Sequence, residues 1–259
     1  MKVIDAIIGS NPGGGGASSP CVPVPGSTFQ VRNFSPAYKA KILSLFAVTL
    51  TSGKLQIVSP YFHDISPGLE FTLDSNTASN LFPTGICQYV ESGDQLLFNS
   101  LSNVNAIVFA LSLYYEQLPE VDTQFINYQE LKKRAVKFKV LRMSFPNPST
   151  QLVWKSQTPA NDGTFKQDKQ YAFLGAQSIG GRNLLRLRSK DLGNMNIVFP
   201  TGGSGSVNDQ TWNYFENLSK LHDGIDVIPV LNGINIPTAT ADIIGFSSFD
   251  GEFFFAELK

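Results

Sequence analysis

The feature that most limits the fold is a succession of short β-branched and aromatic runs, divided by turn-forming residues, that begins at Thr28. Such runs, spaced about 8 to 12 residues apart, are typical of sandwiches and barrels of antiparallel strands. In the first half they predict strands at 28–34, 41–49, 54–58, 69–73, 86–90, 95–99 and 105–116. In the second half they predict strands at 136–145, 151–155, 170–177, 184–188, 196–199, 226–230, 241–246 and 252–258. The chain is therefore predicted to be all-β.

Three segments depart from this pattern. Residues 9–27 are dense in Gly, Pro and Ser, which sustain neither a helix nor a strand ladder, so we expect either an extended arm or a plain flexible linker that follows a short terminal strand. Residues 117–134 have the apolar spacing and the basic end that are typical of a short amphipathic helix. A second helix is predicted at 212–220, with Asn208 or Asp209 as its cap and Gly224 beyond its end.

The length of the chain sets the domain organisation. A chain of 259 residues fits two all-β sandwiches of roughly 100 to 130 residues each better than it fits a single core. About seven strands in each half nearly fill an eight-stranded jelly roll. We predict an N-terminal arm at 1–27, a first jelly-roll sandwich at 28–118, a connector helix at 119–134 and a second jelly-roll sandwich at 135–259.

The charge balance limits the partners. The chain has 20 Lys and Arg against 21 Asp and Glu, and charged residues make up only 16% of it, compared with about 25% in a typical protein. A balanced charge argues against a protein that works mainly by neutralising nucleic-acid phosphate, so we predict no sequence-specific nucleic-acid partner. A polar but uncharged surface instead favours packing against other proteins.

Neither the cysteines nor the apolar runs indicate a secreted or membrane-spanning chain. Cys21 and Cys87 are widely separated and have no metal-like spacing, which predicts two unpaired buried thiols. The longest apolar run, 106–115, is too short to cross a bilayer, and the N-terminal apolar group is too short for a signal peptide. We therefore expect synthesis and assembly in a cytoplasm.

Candidate catalytic groups are few. His63 and His222 each precede an aspartate, and such a pair can orient an imidazole as a general base or supply metal ligands. However, adjacent residues on a strand point to opposite faces, so a turn position is favoured for both pairs. The glycine-rich segment 202–206 has neither a nucleophile-elbow pattern nor the lysine of a phosphate-binding loop. We predict no catalytic residue, metal ligand or cofactor, and a protein that is not an enzyme.

The sharpest electrostatic pattern lies in the segment 185–190. Its strict alternation predicts that Arg186, Arg188 and Lys190 share one face of a strand and that leucines occupy the other. One interpretation is a face that contacts anionic material, such as packaged nucleic acid, a membrane surface or the acids of a neighbouring subunit. The alternative is an ordinary solvated or edge-protecting strand face. The basic run at 132–139 allows the same two interpretations.

The segment 53–68, GKLQIVSPYFHDISPG, places two strands around a Ser-Pro and His-Asp loop. Together with the strand texture, the helical link and the neutral polar surface, it resembles the double jelly-roll major capsid proteins of tailless icosahedral, often membrane-containing viruses, phages among them. The resemblance implies two sandwiches side by side in one subunit, trimers that tile an icosahedral shell, and a location in the virion. It implies other copies and other virion proteins as partners, leaves contact with an internal membrane or the genome open, and carries over no catalytic residue.

Two other functions stay open at the level of sequence. A virion or surface sandwich protein would bind glycan or protein through its loops, with Trp154 and Trp212 as the candidate aromatic platforms. An enzyme on a β scaffold would depend on His63 or His222.

Overall fold

A computed structural model of the chain describes fifteen segments, which together contain all of the strands and helices discussed below. The described residues are 3–13, 18–33, 39–49, 53–59, 68–73, 78–81, 89–101, 106–115, 124–145, 152–159, 164–178, 183–193, 195–201, 211–246 and 248–259.

The first half of the chain forms two antiparallel sheets. Its strands are β1 (Val3–Asn11), β2 (Ser18–Pro20), β3 (Val22–Pro23), β4 (Lys39–Thr49), β5 (Gly53–Val58), β6 (Leu69–Leu73), β7 (Ala78–Leu81), β8 (Tyr89–Glu91), β9 (Leu97–Leu101) and β10 (Ile107–Tyr115). One sheet has the order β3-β1-β10-β4-β7, with β8 also paired to β4. The other sheet has the order β2-β9-β5-β6.

The second half forms two further antiparallel sheets and carries both α-helices of the described chain. Its strands are β11 (Gln124–Ile126), β12 (Ala135–Phe145), β13 (Lys155–Gln157), β14 (Gln170–Ser178), β15 (Asn183–Arg188), β16 (Ile197–Pro200), β17 (Ile228–Asn232), β18 (Thr240–Gly245) and β19 (Phe249–Leu258). The helices are α1 (Tyr128–Arg134) and α2 (Tyr214–Leu221). The sheets have the orders β11-β17-β14-β19-β12 and β13-β18-β15-β16.

The two halves share one topology. Eight strands can be matched in chain order, namely β1, β2, β4, β5, β6, β8, β9 and β10 in the first half and β12 to β19 in the second. When each set is numbered from one to eight, both halves contain a 1-8-3-6 sheet and a 2-7-4-5 sheet. Eight antiparallel strands in two such sheets make a jelly roll, so the chain is all-β with two tandem jelly-roll sandwiches, here called sandwich 1 and sandwich 2.

Burial explains why the eighth strands are so apolar. Every residue of β10, IVFALSLYY, is buried, because its inner face lies on the core of sandwich 1 and its outer face is covered by sandwich 2. Strands buried on both faces have continuous apolar runs of this kind. Phe253 and Phe255 of β19 are buried in the core of sandwich 2, where their rings contact Phe173.

The extended-arm interpretation is wrong for the described residues before Thr28, whereas the short terminal strand of the alternative is present as β1. Strand β1 pairs with β10 along its whole length, β3 extends that sheet, and β2 pairs with β9 in the other sheet. The apolar side chains Ile4 and Ile8 are buried, which stabilises β1 as a strand, and Pro23 is tolerated because β3 is an edge strand. Residues 14–17 of the predicted arm lie outside the described residues.

Two predicted strands differ in the structure. The predicted strand 28–34 is not a ladder: its described part makes one isolated bridge, from Gln30 to Gln95. The predicted strand 151–155 begins later, as β13, because Leu152 has a φ of 65° and lies in a turn. The other predicted strands are found in the described residues, with ends shifted by a few positions.

The connector between the sandwiches is shorter than predicted. Strand β11 pairs with β17 and so belongs to a sheet of sandwich 2. Helix α1 then begins after Asn127, whose side-chain oxygen accepts a hydrogen bond from the backbone N–H of Glu130 at 2.9 Å. Residues 119–123 of the predicted connector lie outside the described residues.

The third strand of each sandwich carries a β-bulge against the eighth strand. The extra residues are Leu43 in β4 and Leu174 in β14. Gly175 follows the second bulge with a φ of +149°, and a Cβ there would collide with the carbonyl oxygen of Thr211. The chain that leads into α2 therefore lies directly on this sheet, at a place where only glycine fits.

The second predicted helix is confirmed as α2, which is preceded by a 3-10 turn at Thr211–Asn213. Gly224 follows its end with a φ of +80° and donates its backbone N–H to the carbonyl of Ser219, as predicted for a glycine at this position. The predicted caps Asn208 and Asp209 lie outside the described residues.

Candidate subunit-contact surfaces

The two sandwiches are joined through unlike faces. The outer face of the 1-8-3-6 sheet of sandwich 1 packs on the outer face of the 2-7-4-5 sheet of sandwich 2. The buried apolar side chains at this contact are Ala6, Ile8, Val24, Phe46, Val48, Val108 and Ala110 from sandwich 1 and Leu184, Val198 and Ile244 from sandwich 2. Each large side chain that is removed from water here contributes about 1.5–3 kcal/mol, so the contact holds the sandwiches together as one block.

A buried carboxylate links the sandwiches at the edge of this contact. Asp5 on β1 is 4% exposed, pairs with the Arg32 guanidinium at 2.6 Å and accepts a hydrogen bond at 2.7 Å from the backbone N–H of Asn196 in sandwich 2. Burial raises the pKa of Asp5 to about 6, because the loss of hydration outweighs the attraction of Arg32. The strength of this link therefore depends on pH.

Helix α2 forms a second link between the sandwiches. On one side Phe215 and Leu218 are buried in the core of sandwich 2. On the other side the Tyr214 hydroxyl lies 2.8 Å from the hydroxyl of Ser44, and Nε2 of His222 donates to the carbonyl of Leu43 at 3.1 Å. Leu43 is the extra residue of the bulge in β4 and Ser44 follows it, so α2 lies between the equivalent bulges of the two sandwiches.

The surroundings of His222 do not form a His–Asp dyad. Burial, with a smaller effect from Lys41, lowers the pKa of His222 below its usual value, which keeps the ring neutral. His222 ends α2, and Asp223 follows with a φ of 59°, so the predicted turn position is confirmed for this pair. His63 and Asp64 lie outside the described residues.

The arginines of the predicted basic face on β15 bind a buried acid of the same chain. Arg186 and Arg188 do share a face, and both pair with the carboxylate of Asp242, which is fully buried. Arg188 binds it through two N–H groups at 2.6 and 2.8 Å, and Arg186 binds it through Nε at 2.8 Å. The Arg186 guanidinium also lies 4.2 Å from the ring centre of Trp154, and Arg186 is only 9% exposed.

Two features of that prediction need correction. Strand β15 lies between β18 and β16, so its charges do not protect a sheet edge. Lys190 lies beyond the strand, in a 3-10 turn at Lys190–Leu192, and does not continue the strand face. Contact of anionic material with the half-exposed Arg188 and with Lys190 stays a prediction.

An apolar surface is left uncovered on sandwich 2. It is formed by Phe138 and Val140 on β12, Phe254 on β19 and Trp212 next to α2, and we call it the β12 face. Phe138 is 64% exposed and Val140 is 40% exposed. The Trp212 ring lies 6.4 Å from that of Phe138 and 5.8 Å from that of Phe254, so the aromatic groups form one cluster.

A groove of about 420 Å³ continues the β12 face toward the two helices. It has an apolar floor, and the ion pair between Lys220 and Glu216 lies at its rim. The groove is lined by Tyr128, Leu131, Lys132, Ala135, Phe138, Leu174, Glu216, Lys220 and Ala256. Such a shape can hold apolar side chains of a second molecule.

The outer face of the 2-7-4-5 sheet of sandwich 1 is partly exposed, although Gln56 at its centre is only 6% exposed. It is formed by Gln56 on β5, Leu97 and Asn99 on β9, and Glu70 on β6, and we call it the β5–β9 face. Leu97 is 55% exposed. The amide of Asn99 donates to the side-chain oxygen of Gln56 at 2.8 Å, so the centre of this face is polar but uncharged.

The sequence of β12 itself indicates the β12 face. In the β12 sequence AVKFKVLRMSF the apolar residues occupy alternate positions up to Val140 and then change phase at Leu141. Only the second set, Leu141, Met143 and Phe145, is buried in the core. Because neighbouring residues on a strand point to opposite faces, the change of phase indicates apolar groups on both faces.

The remaining candidates are the cysteines, possible metal ligands and possible membrane spans. Cys21 is buried and unpaired, as predicted, and burial raises the pKa of its thiol to about 12; Cys87 lies outside the described residues. Within the described segments, no group of three or more His, Cys, Asp or Glu side chains is placed to hold a metal ion. Neither of the described helices is long and apolar enough to cross a membrane.

Comparison with known proteins gives structural likeness only. No family model and no curated protein matches the chain. A virus-like particle of the extra small virus of the giant freshwater prawn Macrobrachium rosenbergii is similar over 45% of this chain and 81% of that chain, with 15% identity and a TM-score of 0.24.

Two structures from Sulfolobus Turreted Icosahedral Virus are also similar. A chain of the virus structure has 11% identity and a TM-score of 0.22 over 99% of this chain and 59% of that chain. The crystal structure of its MCP has 8% identity and a TM-score of 0.15 over 100% of this chain and 96% of that chain. The jelly-roll assignment for this chain therefore rests on its own strand order rather than on these likenesses.

Proposed function

We propose that this chain is a coat subunit that assembles with copies of itself, as trimers, into the icosahedral shell of a virus. In this proposal the protein is structural and is not an enzyme, and its place is the virion. Its main partners are other copies of the chain and other virion proteins.

One observation carries the proposal. The same eight-stranded sandwich occurs twice in the chain, and the two copies pack side by side through a buried apolar contact. Close-packed sandwiches resist deformation, while the loops at their ends can vary without disturbing the core. A block of this kind, with apolar side chains exposed on its sides, is suited to be covered by neighbouring blocks.

The alternative of glycan binding has less support from the tryptophans. Trp154 is half-buried beneath the Arg186 guanidinium, and Trp212 is half-buried against Phe138 and Phe254. Neither ring is presented as an open platform for a sugar.

The proposal is tested by the mass of the purified protein in solution and by its appearance in negative-stain electron microscopy. We expect a trimer in native mass spectrometry and in size-exclusion chromatography with light scattering, and shells or sheets of hexagonal units in the images. A chain that stays monomeric at its highest soluble concentration would contradict the proposal. Monomers that bind an array of glycans would instead favour the alternative.

A further inference from the structure

Strand β12 has one edge that no other described strand covers. It is the last strand of the sheet β11-β17-β14-β19-β12, and within the described residues it pairs with β19 alone. The strand has 11 residues, so a long row of backbone N–H and C=O groups faces away from β19. A row of this kind is a template on which a further strand can pair.

The equivalent edge of sandwich 1 shows how such a row is satisfied. Aligning the bulges matches β1 with β12, and Ile8 with Arg142. On β1 the short strand β3 is added to this edge in the antiparallel sense. The carbonyl of Ile8 accepts from the N–H of Val24 at 3.2 Å, and its N–H donates to the Ser27 hydroxyl at 3.1 Å. The chain thus supplies β1 with the added strand that β12 lacks among the described residues.

The charge of β12 determines which strand can be added. The strand has three basic residues and no acidic one. A second β12 strand, from another copy, would add like charges, and like charges destabilise a strand pair. Basic side chains on an edge prevent pairing between copies in this way. An acidic strand is favoured instead, because cross-strand pairs of opposite charge are stabilising.

The cations beside this edge are only partly neutralised. Lys137 and Arg142 each form an ion pair with a glutamate of β19, at 3.8 and 3.0 Å. Lys139 on β12, and Lys132 and Lys133 on α1, form no ion pair with any residue that the structure describes. Because α1 directly precedes β12, an antiparallel strand added to the edge would end beside α1. Acidic residues near the C-terminal end of that strand would therefore lie closest to these three lysines.

We propose that the outer edge of β12 accepts an extended, acidic segment of a different protein as an added antiparallel strand. Main-chain hydrogen bonds along the edge supply the attraction that any strand would have. The three lysines then select an acidic segment over a neutral or basic one. The inference goes beyond the proposed coat function, because the edge accepts such a segment whether or not copies of the chain form a shell.

A synthetic peptide labelled with fluorescein, Thr-Val-Thr-Glu-Val-Glu-Val-Glu, tests the contact by fluorescence anisotropy with the full chain. We expect saturable binding, and binding at least about tenfold weaker when lysine replaces each glutamate. Two further peptides are methylated on alternate backbone nitrogens. In an added strand only one of these sets faces β12, so one methylated peptide should lose binding and the other should keep it within about twofold.

Lys139→Glu reverses the charge on the edge and should weaken binding of the acidic peptide at least about tenfold. Lys190→Glu is the matched control. Lys190 is a surface lysine in a turn that is hydrogen-bonded to β17, three strands away from β12 in the sheet. The control should bind like the wild type, and the melting temperatures of both variants should stay close to that of the wild type.

Three results would overturn the strand addition: no binding of the acidic peptide to the wild type, equal binding of the two methylated peptides, or equal weakening by Lys139→Glu and Lys190→Glu. Binding to phosphatidylglycerol vesicles in place of the peptide would overturn it in favour of a lipid surface. The mass measurements that test the coat function do not depend on any of these results.

Discussion

The two sandwiches have different polar pairs at the middle of the fourth and seventh strands of their 2-7-4-5 sheets. The fourth and seventh strands hold Gln56 opposite Asn99 in sandwich 1, and Arg186 opposite Asp242 in sandwich 2. Both pairs lie on the outer face of their sheet, between positions that point into the core. Sandwich 1 therefore has an amide hydrogen bond where sandwich 2 has an ion pair.

The surroundings of each pair explain why one is an ion pair and the other an amide pair. The Arg186–Asp242 pair lies next to the internal contact, where Trp154 covers Arg186 and where Arg188 and Ser156 add further hydrogen bonds to the carboxylate. A buried ion pair is tolerated only where such additional hydrogen bonds satisfy its polar atoms. The Gln56–Asn99 pair has no such additional partners among the hydrogen bonds of the described residues, and because Gln56 is only 6% exposed, an uncharged amide pair costs less to bury here than a charge with incomplete partners.

The largest effect is expected from breaking the ion pair on one side. Asp242→Asn leaves the buried guanidinium of Arg186 without its counter-charge, and we expect the free energy of unfolding to fall by about 3–5 kcal/mol, as measured by urea or thermal denaturation. The double variant Arg186→Gln/Asp242→Asn copies the pair of sandwich 1 and should recover most of this loss.

Asp250→Asn is the control for that experiment, because Asp250 is an exposed acid bonded to Ser144, and its loss should change stability by less than about 0.5 kcal/mol. If Asp242→Asn costs no more than this control, or if the double variant is as unstable as the single one, then the ion pair does not stabilise the sheet.

This pair also shows how far the sequence could predict the site. Alternation correctly placed Arg186 and Arg188 on one face, because side-chain direction along a strand is a local property. Their partner Asp242 is more than fifty residues away in the chain, and only the pairing of β15 with β18 brings it there. The sequence of one strand can therefore predict a basic face but not the acid on another strand that neutralises it.

The same limit applies to the N-terminal segment. Its Gly and Pro content indicated an arm, yet β1 is stabilised by pairing with β10, whose residues lie about a hundred positions away. In contrast, most strands and α2 were predictable, because the alternation, the helical spacing and Gly224 act over a few residues. The fold class and the element types were accessible from local pattern, whereas the contacts between distant strands were not.

A second prediction concerns the pH dependence of the link between the sandwiches. Asp5 has a pKa of about 6 in the folded protein against 3.8 in the unfolded chain, so the folded state binds its proton more tightly. The contribution of Asp5 to stability is therefore full below pH 4 and is lost as the pH rises through 6, a change of about 3 kcal/mol. The contribution of Asp5 to the free energy of unfolding should therefore be largest at about pH 4 and below.

Asp5→Asn removes this titration and keeps an oxygen that can accept from the Asn196 N–H. The difference in melting temperature between the wild type and Asp5→Asn should favour the wild type most at pH 4 and should shift against it toward pH 7.5. All other titrating groups, His222 among them, are common to both proteins and cancel. Parallel melting curves across this range would show that Asp5 does not titrate as the structure indicates.

The smallest effects concern the two bulges, where the sandwiches again differ at one matched position. The residue that follows the bulge is Ser44 in β4 and Gly175 in β14; Ser44 contacts Tyr214 at the start of α2, and Gly175 lies against Thr211 in the turn that leads into it. Gly175→Ala adds a methyl group where the Thr211 carbonyl already lies, at a φ that side chains rarely adopt, and should cost about 2–3 kcal/mol. Ser44→Ala removes only the hydrogen bond to Tyr214 and should cost about 1 kcal/mol.

The two substitutions therefore distinguish two interactions that position α2, the close packing at Gly175 and the hydrogen bond of Ser44. Because a methyl group on Gly175 would push α2 away from sandwich 2, it should also disturb the contact of His222 with Leu43 on sandwich 1, visible as a change in the imidazole NMR signals. Ser44→Ala leaves the path of the backbone unchanged and should leave those signals nearly in place. Equal costs for the two variants, with unaltered His222 signals in both, would mean that α2 is positioned by its own packing in the core and not by the bulges.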